Sequence, residues 1–201
     1  MTVMNSRSWD DRYRVSGLVW GAGPNRFLVE QVNGLRPGSA LDVACGEGRN
    51  AVWLAERGWH VVGVDFSPVG LEKARRSAQA RGVTVEYVEG DLTTWEPPGS
   101  YDLVVVMYLH LPSDLRREVL TRVAGSLVTG GTMLVVGHDA SNLAEGHGGP
   151  QDPAVLYGPE DLTEDLGGIL EIERAERVQR VVSTADGEAV AIDVLVRGRR
   201  R

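Results

Sequence analysis

The sequence contains one cysteine, Cys45, so no disulfide can form within the chain. That fits a reducing compartment. No apolar run approaches the ~20 residues that a membrane-spanning helix needs. Residues 1–11 hold no apolar stretch of leader length. A cytoplasmic protein with no membrane partner is expected. Basic charge is also short: 21 Lys+Arg stand against 28 Asp+Glu, a formal net charge of −7. A nucleic-acid-binding surface normally carries a basic patch that displaces counterions. The one basic cluster, residues 197–201, is expected to be a solvated end. No nucleic-acid partner is expected.

What remains is 201 residues of ordinary globular composition, enough for one core and too few for two comfortable domains. A single domain over residues 1–201 is expected, as a monomer or homodimer. Short β-branched runs alternate with longer helical patterns, which predicts a parallel sheet with helices on both faces. Two helical segments, 9–17 and 25–34, form an N-terminal cap over residues 1–36. Strands are predicted at 40–44, 60–64, 84–88, 102–107 and 132–137, and helices at 49–57, 68–81 and 113–127. Most of these strands are continuous apolar runs, as suits strands buried on both faces. Residues 169–181 and 189–197 are strand-like, and Ala185-Asp-Gly-Glu188 between them signals a hairpin. The sheet should therefore end antiparallel. Residues 139–159, rich in Gly, Pro, His and Asp, are too long for an idle connection and make a candidate lid or substrate loop.

Gly46 and Gly48 follow the first strand and precede a helix. Glycine there lets a ligand approach the main chain, and the helix start offers unpaired N–H groups to an anionic end. Asp65 ends the second strand about 20 residues on, where a carboxylate can accept from both hydroxyls of a ribose. Asp91 follows the third strand and can read an adenine amino group. Asp42, four positions before Gly46, can support the loop and the ammonium of an amino-acid ligand. All lie at carboxyl ends of strands, the rim where open α/β sheets bind ligands. A nicotinamide dinucleotide could use the same loop, with Ala51 at the third glycine position. The terminal hairpin points away from that oxidoreductase reading.

The series Asp42-Val-Ala-Cys-Gly-Glu-Gly48, Val64-Asp-Phe-Ser67, Gly90-Asp-Leu92 and Gly130-Gly-Thr-Met-Leu-Val-Val136 resembles the ordered motifs of the class I S-adenosylmethionine (SAM)-dependent methyltransferases. Trp9-Asp-Asp-Arg-Tyr13, Trp20-Gly21 and Gly46-Glu-Gly-Arg-Asn50 are similar to the tellurite-resistance and thiopurine-type branch, whose acceptors are small molecules. The resemblance implies a three-layer Rossmann-like, mostly parallel seven-stranded sheet ending in an antiparallel hairpin. It implies SAM as the methyl donor. Asp42 and the backbone of Ala44, Cys45, Gly46 and Gly48 would hold its methionine part, with Arg49 and Asn50 completing the loop. Asp65 would hold the ribose, beside Ser67, with Phe66 packed on the adenine and Asp91 and Leu92 at the adenine edge. Met107 and Tyr108 would line the floor near the sulfonium, and Tyr13 and Trp20 would close over the methionine end. Ala44 stands where many members have glycine.

Methyl transfer is an in-line displacement, and alignment alone supplies about 7–11 kcal/mol of barrier reduction. A base is therefore optional for thiol or metalloid acceptors and useful for oxygen or nitrogen. His138, Asp139 and His110 are the candidates, because histidine titrates near neutrality and the 138–139 pair follows the fifth strand. Trp9, His147 and Tyr157 are candidate substrate contacts. No metal-ligand spacing is recognised. A non-catalytic SAM- or nucleotide-binding regulator is the other reading that these residues leave open.

Overall fold

The computed structural model describes residues 6–185 and 187–201. Seven strands form one sheet: β1 (Ser39–Val43), β2 (His60–Asp65), β3 (Glu86–Glu89), β4 (Tyr101–Met107), β5 (Leu127–His138), β6 (Leu170–Thr184) and β7 (Gly187–Arg200). Their order is β3-β2-β1-β4-β5-β7-β6. The parallel part and the antiparallel ending follow the Rossmann-like expectation. By compactness the chain divides after Val105 into two units.

In the first unit, β1 pairs parallel with β2, and β2 with β3, in the registers Val43↔Val64 and Asp65↔Glu89. Ala40, Leu41 and Val43 of β1 are fully buried, so both faces of the strand are covered. Its helices are α1 (Ser6–Tyr13), α2 (Arg26–Val32), α3 (Arg49–Glu56) and α4 (Pro68–Ala80). Helix α2 starts at Asn25, whose side chain accepts from the Phe27 N–H. Helix α4 starts at Ser67, which accepts from Gly70 N, with Pro68 in the first turn where no N–H is missed. Leu71, Ala74 and Ala78 recur at helical spacing and are buried.

The second unit holds β5, β7 and β6 with α5 (Ser113–Gly125), α6 (Asn142–Glu145) and α7 (Pro159–Leu166). β7 runs antiparallel to both neighbours, with His138↔Asp193 in register across β5 and β7. The hairpin is longer than expected. Asp186 of the anticipated Asp-Gly turn lies outside the described residues. Residues 197–200 are not a solvated end but the close of β7, where Arg197 and Arg199 reach Glu173 at 3.2 and 3.0 Å. Helix α7 was not anticipated either. It packs through a buried ion pair, Arg116 Nε to Asp165 Oδ2 at 2.7 Å. Among the described residues, no helix is long and apolar enough to cross a membrane.

Candidate functional site

The glycine loop leaves β1 by a left-handed turn. Ala44 has φ +56° and Gly48, at the start of α3, has φ +77°. A left-handed alanine costs roughly 1–2 kcal/mol, so Ala44 is held here under strain. Asp65 grips the loop from β2. Its Oδ2 accepts from Gly46 N at 2.8 Å and its Oδ1 from Ser67 N at 2.9 Å. Burial raises its pKa, and the N–H groups of Ser67 and Gly46 work against that rise. Each oxygen keeps a further lone pair for a ribose hydroxyl. Asn50, also predicted, is buried and accepts from Asn25 N at 2.9 Å. Cys45 is buried and its thiol pKa is pushed well up by desolvation, which suits a packed residue and not a nucleophile.

Asp42 is the least satisfied group of the loop. It is 1% exposed, and neither carboxylate oxygen closes a hydrogen bond. Burial pushes its pKa up to about 7, against a lowering by the backbone of Ala51. A buried carboxylate without a partner is costly and calls for a cation or a donor. The ammonium of a methionine moiety fits that demand, so the residues present fit the SAM that the motif series implies.

The N-terminal segment is tied onto this loop by a residue that the sequence reading passed over. Glu47 is buried, and its Oε2 accepts from Val19 N at 2.8 Å and Trp20 N at 3.4 Å. Its Oε1 meets Lys73 Nζ at 3.0 Å, and Lys73 also donates to Val15 O and Gly17 O at 3.0 and 2.7 Å. Arg49 adds a bond to Trp20 O at 2.9 Å. Tyr13 stacks on Trp9 at 5.4 Å, Trp20 lies 6.4 Å from Trp9, and Arg12 sits over both indoles. Tyr13 and Trp20, expected to close over the methionine end, and Trp9, expected to contact substrate, thus share one cluster, in which Tyr13 is buried and Trp20 exposed. Lys73 is the single lysine of the chain. Three donors diverging from one nitrogen suit its three acceptors, and the planar fork of arginine does not. Lys73→Arg is therefore expected to release residues 15–20, at a cost of about 1–2 kcal/mol. Faster amide exchange confined to that segment would show it; unchanged exchange would show that the ammonium holds nothing.

The remaining first-unit positions are looser. Phe66 is half-buried, with its carbonyl accepting from Ser6 Oγ at 2.9 Å. Asp91 is exposed and caps its own turn through Thr93 N at 2.9 Å; Leu92 is half-buried beside it.

The second unit brings together a different cluster. Met107 is buried at the end of β4, and Tyr108 follows it with φ +59°. Positive φ in a tyrosine is strained and turns its side chain out of the strand pattern. Its hydroxyl donates to Asp193 Oδ2 at 2.9 Å. Arg180 Nε donates to the same oxygen at 2.8 Å, and His138 Nδ1 faces Asp193 Oδ1 at 3.3 Å. The rings of Tyr108 and His138 lie 5.0 Å apart, His110 and His138 stack at 5.4 Å, and His110 and Tyr157 lie 5.5 Å apart. His110 Nδ1 is 3.1 Å from Val155 O and must donate to it, which leaves Nε2 a buried acceptor without a partner. Burial lowers the His110 pKa to about 4, so the ring is neutral at pH 7.

The other predicted second-unit residues separate. Tyr157 is fully buried and donates its hydroxyl to Leu109 O at 2.8 Å. Asp139 is buried and anchors its loop, taking Ser141 N at 2.9 Å and Arg177 Nε at 3.1 Å. His147 is exposed. The 139–159 stretch is pinned, because Asn142 donates to Gly148 O at 2.8 Å and accepts from Ile192 N at 2.7 Å. Gly149 lies directly on His138; a Cβ there would stand 2.8 Å from the imidazole Cγ. Among the described residues no group of three or more His, Cys, Asp or Glu is placed to hold a metal. Asp193 and Arg180 were missed from sequence. The signal was present, since Asp193 interrupts the apolar run Val190–Val196 and a carboxylate in a buried strand needs partners.

Residues 40–131 match the family model of the methyltransferase domain. The ribosomal protein L11 methyltransferase of Thermus thermophilus is 35% identical over 126 residues, 60% of this chain and 48% of that protein. A ubiquinone biosynthesis O-methyltransferase of Aliivibrio fischeri is 37% identical over 93 residues, 44% of this chain and 40% of that protein. The chain thus spans half or less of these relatives' length. The N-methyltransferase NodS of Bradyrhizobium japonicum, solved with S-adenosyl-L-homocysteine, matches with a TM-score of 0.72 and 18% identity, covering 97% of each chain. The fold is shared with this N-methyltransferase, and residues 40–131 match a methyltransferase domain.

Proposed function

We propose that the protein transfers a methyl group from SAM to a small-molecule acceptor by in-line displacement. The observation that carries this is the buried, unpartnered Asp42 behind a loop whose glycine N–H is held by Asp65. When bound, SAM supplies a methyl group on a sulfonium, which needs no further activation. Asp42 takes the ammonium, the loop takes the carboxylate end, and Asp65 takes the ribose with Phe66, Asp91 and Leu92 around the adenine. Tyr13, buried against Gly46, and Trp20, whose backbone N–H is held by Glu47, close over the loop. That closure supports the finer reading, a place in the tellurite-resistance and thiopurine-type branch. Met107, Tyr108, His138 and His110 serve the acceptor, while Asp139 holds its own loop through Ser141. A nicotinamide cofactor offers Asp42 no ammonium, so the oxidoreductase reading loses its ground here.

Calorimetric titration with SAM and S-adenosylhomocysteine tests the donor, and labelled SAM over thiols, phenols, amines and metalloid oxyanions tests transfer. Binding without transfer to any acceptor would favour the regulator. Asp65→Ala removes the acceptor of the ribose and of two loop N–H groups together. SAM affinity is expected to fall at least about tenfold, the scale of one charge-assisted hydrogen bond. Unchanged affinity would overturn the placement.

A further inference from the structure

We propose that Asp193 is a positioning residue that aims His138 as a general base, and that the acceptor it serves is a phenolic hydroxyl. This rests on the methyl-transfer reading above.

The geometry begins with the imidazole. His138 Nδ1 is buried and faces Asp193 Oδ1 at 3.3 Å. Bonds of this kind are often long before substrate arrives and close on binding. With Nδ1 turned to a carboxylate, the hydrogen sits on Nδ1 and Nε2 is left as the lone pair for a ligand. Asp193 is fully buried and itself fixed, by Tyr108 Oη at 2.9 Å and Arg180 Nε at 2.8 Å. Burial alone would raise the Asp193 pKa, but the donors of His138, Arg180 and Tyr108 together hold it below the ordinary carboxylate range. An ionised carboxylate stabilises the imidazolium that forms when Nε2 takes a proton.

The surroundings select the acceptor. A thiolate or metalloid anion arrives without a proton and gains nothing from a base. An ammonium would need an unclaimed carboxylate. Here Asp193 is paired with Arg180, while Asp139 meets Arg177 through Oδ1 alone and keeps its partnerless Oδ2 fully buried. A neutral hydroxyl carries no charge to offset. The groups facing His138 come from every packed element: Tyr108 and His110 after β4, Asp193 on β7, Arg180 on β6, and Gly149 of the loop. Tyr108 and His110 are rings, Arg180 lies over the Tyr108 ring and Gly149 against the His138 ring, and the neutral His110 offers its partnerless Nε2 as an acceptor. A flat aromatic hydroxyl suits such a layer of rings. In the step, the acceptor oxygen forms its bond to the methyl carbon as the carbon–sulfur pair returns to sulfur. The hydroxyl proton passes to His138 Nε2 and later to water.

The test compares two phenols at pH 8 with labelled SAM: 4-methylphenol, which keeps its proton, and 4-nitrophenol, which is largely phenolate. His138→Gln is expected to lower kcat with 4-methylphenol about 100-fold or more, the usual scale of general-base catalysis. With 4-nitrophenol the loss should stay under about threefold, and KM for SAM should not move. Asp193→Asn should follow the same pattern. Nitrogen-15 NMR of the imidazoles should show His138 losing its Nδ1–H form in that variant, a readout independent of turnover. Equal losses for both phenols, or an unchanged tautomer, overturn the proposal. So does SAM binding with transfer to thiols or amines and to neither phenol, which leaves the donor reading standing. No SAM binding at all overturns both.

Discussion

Gly48→Ala is expected to lower the melting temperature by roughly 10 °C and to abolish tight SAM binding. Two costs add. The backbone there is left-handed, a strain of about 1–2 kcal/mol for alanine. The new Cβ would also stand 2.6 Å from Tyr87 Oη and 2.7 Å from the Ala74 Cβ. Ala74 belongs to α4 and has no flexible end to move, so the loop must shift. Overpacking of this kind costs about 1–3 kcal/mol. At about 2–4 °C per kcal/mol for a chain of this size, the sum gives the stated fall. Gly82→Ala is the control. Its φ is +65° with open space around it, so strain acts without collision. If the two variants melt alike, the close approach at Gly48 is not what shapes the loop.

Asp42→Asn is expected to act in opposite directions on stability and on donor binding. The folded carboxyl keeps its proton up to about pH 7, while its ordinary value is 3.8. Folding therefore takes up a proton between these values. Stability falls as pH rises through that window and is flat above it, where the folded chain carries a buried charge. The difference converts to up to about 4 kcal/mol at pH 8. Asparagine removes that cost, so the ligand-free variant should melt higher than the parent at pH 8 and equal to it near pH 4. The same change removes the charge that meets the ammonium, so SAM affinity should drop at least about tenfold. Denaturant titrations at both pH values check the first effect, and calorimetry the second. A variant no more stable at pH 8 would mean that Asp42 is solvated or paired in the folded chain.

The parallel half of the fold was legible because its signals are local. Continuous apolar runs mark β1, β2 and β4, and Ser67-Pro68 marks the start of α4. The antiparallel half was less so. Leu170–Thr184 alternates charged and apolar residues with most side chains exposed, so its pattern fades before the strand ends. Residues 197–200 read as a charged tail because their partner, Glu173, is remote in sequence. Helix α7 carried a readable start, Pro159-Glu-Asp161, hidden by a glycine-rich approach. The motif residues Gly46, Gly48 and Asp65 were findable because they follow strands in order. Lys73, Arg180 and Asp193 belong to no motif, and Glu47 lies inside one without a role assigned to it. Their meaning lies in pairings 13 to 85 residues apart that only the folded chain displays.

The tie between Glu47 and residues 15–20 also bears on modularity. Recognition by family likeness begins at residue 40. The groups that satisfy the buried Glu47 come largely from before that point: Val19 N, Trp20 N, and the Val15 and Gly17 carbonyls that share its lysine. A fragment cut at the recognised boundary would keep every signature glycine and aspartate, yet leave a carboxylate in the middle of the loop with one ammonium and no backbone donors from the strap. The portable unit is therefore larger than the recognisable one, and a graft or chimera of this domain has to carry its N-terminal strap along.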